Sequence, residues 1–184
     1  SSSYTNGQEK ETLSRISVKV RPPNNVDQDR ELLKAITVGN LKAAKAAHAA
    51  GASVDGSPRF PSRPMIAAIG SGDLDMIKFL LERGADANSA NLGQAEFQST
   101  PAGRTMIVSR GDRAIHIAAR YGHASVIPLL RRAGADPNAI NAKCSTALHL
   151  ACAGEVENVE EEPTDIVRAL LEAGADPTIE DEDG

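Results

Sequence analysis

At 184 residues with 41% apolar side chains, the chain has material for one globular domain or a short array of repeats, and its formal charge is only −5. No apolar run reaches the roughly 18 residues of a membrane span, and the first twenty residues are polar, which argues against a span and a secretory signal and places the expected compartment inside the cell, in cytoplasm or nucleus. Aromatic residues make up 3% of the chain with no Trp, a composition that suits closely approaching helices of Ala, Leu, Ile and Val better than one large core.

Residues 1–26 read as a polar extension. Ser1 to Gln8 are rich in Ser, Thr, Asn and Gly and are expected to be disordered or left over from cloning. Ile16 to Val20 alternate apolar and polar residues with a period of two, which suits a short strand ended by Pro22-Pro23. Two placements stay open for it. It lies loosely on the surface, or it pairs with the first hairpin or docks in a groove of the following domain.

From residue 27 onward, pairs of short helices follow one another. Asp27 or Asp29 caps a helix carrying Leu32, Leu33 and Ile36, Gly39-Asn40 ends it, and an Ala-rich helix follows from Leu41 to Ala50. This unit, about 27–56, has the character of a terminal cap with a wetter outer face. A second unit, about 57–90, has helices near Pro64 to Ser71 and Leu74 to Arg83, with Pro64 at a helix start. An insertion at about 92–110 contains Phe97, Arg104 and Met106 and extends the loop before the third unit, about 109–140. In that unit Ile115, Ile117, Ala118 and Ala119 give one helix its apolar face, Tyr121-Gly122 breaks it, and Val126, Ile127, Leu129 and Leu130 form the next. The fourth unit, about 141–180, holds a second insertion at about 155–161, dense in Glu and expected to be a solvated acidic loop. The chain then stops at the turn of a fifth unit. That ending reads as a truncated C-terminal end, where the outer side of Ile166, Val167, Leu170 and Leu171 wants cover from further repeats or a subunit.

The units are copies of one another. Gly-Ala pairs begin at Gly51, Gly84, Gly134 and Gly174, with gaps of 33, 50 and 40 residues, so the last two exceed one period by the lengths of the insertions. In register, Arg63 to Ala68 lies over Arg113 to Ala118 and over Thr146-Ala147-Leu148-His149-Leu150-Ala151. The pattern resembles the ankyrin repeat, with its Thr-Pro-Leu-His-x-Ala signature and period of about 33 residues, over about residues 29 to 184. The resemblance implies an all-α solenoid of about four stacked helix-turn-helix units with hairpin loops and a degenerate N-terminal cap. It also implies a structural role for His116 and His149, which occupy its signature position and would bridge the backbone of neighbouring turns.

No chemistry competes with that reading. The two cysteines stand in one repeat, Cys144 where a turn glycine is expected and Cys152 where a small helix residue is, so both are expected as reduced thiols filling space. No catalytic motif, phosphate loop or metal-ligand spacing is present, so no catalytic residue, cofactor or metal is expected. Basic residues are not in a run and the net charge is negative, which argues against nucleic acid.

The expected function is that of a non-catalytic scaffold binding a partner protein or peptide through the concave face and hairpin loops. The alternative is a regulatory or substrate-recruiting domain of a larger enzyme. Charge supports an acidic partner: residues 57–123 carry eight Lys or Arg against six acids, while 124–184 carry four against thirteen. The resemblance puts Arg59, Phe60, Ser62, Ser109, Arg110, Asp112, Arg120, Tyr121, Lys143 and Ser145 on that face, with Arg104 and Arg113 nearby and Phe97 in the insertion. Guanidinium forks among aromatic rings suit carboxylates. On this reading, changing Arg110 and Arg120 together to Glu abolishes binding and leaves the melting temperature nearly unmoved.

Overall fold

The computed structural model describes residues 26–57, 63–91, 98–99, 105–106, 111–153 and 163–181, with only the backbone of 98–99, 105–106 and 163. Helix α1 (Val26–Thr37) starts with Asp27 and Asp29 and ends with Lys34 in its last turn, charges placed to suit the helix dipole. It buries Leu32, Ala35 and Ile36 on one face. The chain turns through Gly39, and Asn40 caps α2 (Leu41–Ala49) by accepting the backbone N–H of Ala43 at 3.0 Å. Helix α3 (Pro64–Ser71) begins on its proline, where no amide is missed, and Asp73 caps α4 (Leu74–Glu82) through Met76 N–H at 3.0 Å.

The third pair is α5 (Ala114–Arg120), then a single 3-10 turn (Ala124–Val126) running into α6 (Ile127–Arg132). The fourth is α7 (Ala147–Cys152) and α8 (Pro163–Glu172). Within the first insertion, β1 (Gln98–Ser99) pairs antiparallel with β2 (Thr105–Met106), with Gln98 opposite Met106 and Ser99 opposite Thr105. Among the described residues the solenoid is therefore helical apart from this small ribbon. The anticipated strand at 16–20 and the insertion at 155–161 lie outside the described residues.

The first helices stand in file: α1 packs on α3, α3 on α5 and α5 on α7. Because Ala68, Ala118 and Ala147 on this seam are fully buried and small, the backbones approach closely. The second helices form the other layer, with α6 and the preceding 3-10 turn against α8. Ile69, Met76, Ile77, Leu80, Ile115, Ile117, Ile127, Leu130 and Ile166 fill the space between layers. Every helix here is short, so packing between units supplies the order that helix propensity alone does not.

Two expectations about the chain's end change. Ile166 and Leu170 are fully buried within the fourth unit, and of the apolar residues expected to want cover only Leu171 is well exposed, at 46%. The thiols of Cys144 and Cys152 are free but exposed rather than packed, because Cys144 sits on a loop tip and Cys152 ends its helix on the outside.

The loop tip itself follows the repeat. Gly111 has φ +79°, and a Cβ there would stand 2.9 Å from the backbone N of Ala142, so the next loop packs directly on it. In the following unit the same position is Cys144, at φ +53°, the left-handed region that a side chain disfavours.

Candidate functional site

Between successive units, the loops that follow each second helix form a continuous edge built on Asp and Asn. Asp86 Oδ1 accepts the backbone N–H of Asn88 at 2.8 Å and Asp136 Oδ1 that of Asn138 at 3.0 Å, so each carboxylate folds its own turn. Each Asn then reaches forward one unit. Asn88 donates to the Gly134 carbonyl at 2.9 Å and accepts Asp136 N–H at 3.0 Å. Asn138 repeats this with the Gly174 carbonyl at 3.3 Å and Asp176 N–H at 2.7 Å.

The ladder starts on carboxylates. Asp55, in the register of Asn88, accepts Asp86 N–H at 2.9 Å, and the buried Asp29 of α1 accepts Ser53 N–H at 2.7 Å. Asp29 thus supplies, from α1 of the first unit, the acceptor that Asp55 supplies to the second. At the other end Thr178 turns its hydroxyl back onto Asp176 Oδ1 at 2.7 Å, and these bonds hold the Asp176 carboxyl below the usual carboxylate range.

A second tier lies beneath the loop tips. The backbone pairs Ala90 with Arg113, through Asn91 N–H to the Asp112 carbonyl at 2.8 Å and Ala114 N–H to the Ser89 carbonyl at 3.2 Å. His116 Nδ1 accepts Arg113 N–H at 3.1 Å, which leaves the proton on Nε2, 3.1 Å from the Ser145 carbonyl it bonds in the next unit. Burial holds this imidazole below its ordinary pKa, against the opposing pull of Asp112 and of the Ser145 carbonyl. His149 makes the same first bond, to Thr146 N–H at 3.1 Å.

Asp112 is the centre of this tier. It is 0% exposed, accepts Asn141 Nδ2 at 2.8 Å and faces Arg120 Nη2 at 3.4 Å. Asn141 in turn shapes the next loop by accepting Lys143 N–H at 2.9 Å and Ser145 N–H at 3.1 Å. Arg120 is 6% exposed and Tyr121 is buried beside His123, their rings stacked with centroids 6.3 Å apart. These side chains organise the edge from within.

That arrangement corrects part of the anticipated contact strip. Asp112, Arg120 and Tyr121 do not lie on an open face: Arg120 turns inward to its buried carboxylate, and an Arg120→Glu change therefore cannot leave stability untouched. Arg113 is half-buried at the start of α5, Lys143 is exposed on the tip, and Ser145 is half-buried with its carbonyl committed to His116. Arg59, Phe60, Ser62, Phe97, Arg104, Ser109 and Arg110 lie outside the described residues. One apolar side chain was not anticipated on this edge. Ile140 is 48% exposed although its neighbours Ala139 and Asn141 are buried. A readable signal was available for the ladder itself, since Asp-x-Asn recurs directly after Gly84-Ala85 and Gly134-Ala135.

Residues 92–181 match a family model of ankyrin repeats in three copies, and residues 64–92 match a single ankyrin repeat. This chain belongs to the ankyrin repeat family. Among similar proteins, the candidate E3 ubiquitin-protein ligase XBAT34 of Arabidopsis thaliana is 28% identical over 125 residues, 67% of this chain and 29% of that protein. The ankyrin repeat, SAM and basic leucine zipper domain-containing protein 1 of Microcebus murinus is 33% identical over 89 residues, 48% of this chain and 18% of its own length. The ankyrin repeat and KH domain-containing protein mask-1 of Caenorhabditis elegans is 28% identical over 143 residues, 78% of this chain and 5% of its own length. This ankyrin-repeat chain thus spans under a third of the curated relatives it matches, and they are multidomain proteins. Ankyrin repeats are interaction modules, and protein partners are what the family membership implies. Among the described residues no group of His, Cys, Asp and Glu could hold a metal ion, and no helix is long and apolar enough to cross a membrane.

Proposed function

We propose that this chain is a non-catalytic scaffold that receives a partner protein or peptide on the loop edge, with Ile140 and Lys143 at the centre of contact in the described part. The observation that carries the reading is Ile140. An aliphatic side chain nearly half exposed costs solvation free energy, and here it stands on backbone held by Ala139, Asn141 and the Asn138 ladder. A contact so supported loses little conformational entropy when a partner arrives. Exposed Lys143, three residues on, adds a cation, and Arg59, Arg104, Arg110 and Arg113 belong to the same proposal. Together they favour an acidic partner. An intracellular site of action, in cytoplasm or nucleus, goes with this reading.

The alternative, a substrate-recruiting domain of a larger enzyme, draws on the similarity to XBAT34, in which the matched region is a minor part. Both readings place recognition on the same edge. The test is a side-by-side capture with the full chain and with an Ile140→Asp, Lys143→Glu variant, followed by direct titration of whatever protein is lost. Retention of every captured protein by a variant with an unchanged melting temperature overturns the assignment.

A further inference from the structure

The second helices of the first two units carry a cluster that the loop edge does not use. Phe79 of α4 is 4% exposed, and two cations from different units lie against its ring: Lys45 Nζ at 5.9 Å and the Arg83 guanidinium carbon at 5.7 Å from the centroid. His48, one turn beyond Lys45, meets the same ring edge-on, with centroids 5.9 Å apart and planes at 79°. Its Nδ1 is 3.0 Å from the Ala52 carbonyl, which fixes the imidazole in place.

Neither Lys45 nor Arg83 forms an ion pair among the described residues, whereas Lys78 on α4 pairs with Asp75 at 3.9 Å. The nearest acid in sequence is Glu82, exposed beside Arg83 and in no ion pair among those described. Helix α2 reads LKAAKAAHA, with no acid, and places Lys42 in its first turn, where the helix dipole disfavours a cation. Its other exposed positions, Ala46 and Ala49, are small, so a partner's backbone can come close. In a chain of net charge −5, this is a local inversion of sign.

We propose that this face is a docking surface for an acidic segment of a partner protein, whose carboxylates pair with Lys45 and Arg83 across the Phe79 ring, with Lys42 extending the contact. The ring holds both cations near one place before binding, which reduces the entropy lost on pairing. A nucleic acid fits less well. The ring is buried beneath its cations and offers no face for stacking a base, and the overall charge repels phosphate. The face is separate from the loop edge and stands or falls independently of it.

The probe is a fluorescently labelled glutamate-rich peptide, titrated by anisotropy with the full chain. Changing Lys45 and Arg83 together to Gln is expected to weaken binding about tenfold, the scale of two partly exposed ion pairs. Lys42→Gln, at an exposed position, gives a smaller loss in a chain whose folding is not in question. Lys78→Gln, which removes a cation of α4 already paired with Asp75, leaves the affinity unchanged, which ties the binding to the Phe79 cluster. No binding by the wild-type chain, equal affinity in the Lys45 and Arg83 variant with an unchanged circular dichroism spectrum, or tighter binding of a single-stranded oligonucleotide overturns the proposal.

Discussion

Asn138 holds Asp176 of the following unit by its backbone, accepting the amide at 2.7 Å, while the same side chain donates to the Gly174 carbonyl two residues before. Asn88 does the same for Asp136 and Gly134. One side chain thus satisfies a donor and an acceptor of another repeat, and its removal leaves both to water. Asn138→Ala is expected to cost about 1–2 kcal/mol, two net hydrogen bonds in a partly exposed setting. Urea denaturation measures it; a midpoint equal to the wild type shows the ladder to be energetically idle.

Arg120→Ala carries a larger penalty. Its removal takes from the Asp112 carboxylate, 0% exposed, the guanidinium that faces it at 3.4 Å. A loss of about 3 kcal/mol is expected, because a buried charge that loses a facing cation keeps its desolvation cost. Replacing Asp112 by Asn in the same chain should recover part of that loss. A double variant no more stable than Arg120→Ala contradicts the pairing.

Cys144→Gly should stabilise the protein. The residue has φ +53° and an exposed side chain, so glycine relieves backbone strain without opening a cavity. The gain is about 0.5–1 kcal/mol, and Cys144→Val goes the other way because a β-branched side chain tolerates this region worst. Thermal melts of the two variants on either side of the wild type are the required order.

The stability of the fold should fall with acid below the ordinary histidine range. Burial lowers the pKa of His116 beneath 6.5, so the unfolded chain takes up a proton there before the folded one does. The contribution from keeping this imidazole neutral is therefore complete above 6.5 and is lost as pH falls from that value toward the folded pKa. Urea midpoints taken from about pH 8 to about pH 5 should decline more steeply in the wild type than in His116→Gln. Parallel curves assign the acid sensitivity to other groups.

Much of the scaffold was legible because packing leaves a periodic trace. The recurring Gly-Ala pairs mark the ends of second helices, the apolar spacing of Ile115, Ile117 and Ala118 marks a buried face, and His116 and His149 mark the turn they cap. The ladder was legible too, in Asp-x-Asn, once a role was known for it. Arg120 was not. An arginine at the end of a short helix reads as surface, and the carboxylate that turns it inward, Asp112, stands eight positions back in the chain.

By itself the sequence determined the repeat, the helix pairs and the turn positions, since these follow from backbone preference and apolar spacing within each unit. Tertiary structure alone decided which side chains serve the interior and which face solvent: Asp112 and Arg120 inside, Ile140 and Lys143 outside, Lys45 and Arg83 gathered on Phe79. The physical reason is that a polar group's burial depends on whether a counterpart from another repeat arrives within hydrogen-bonding reach, and no local pattern records that meeting.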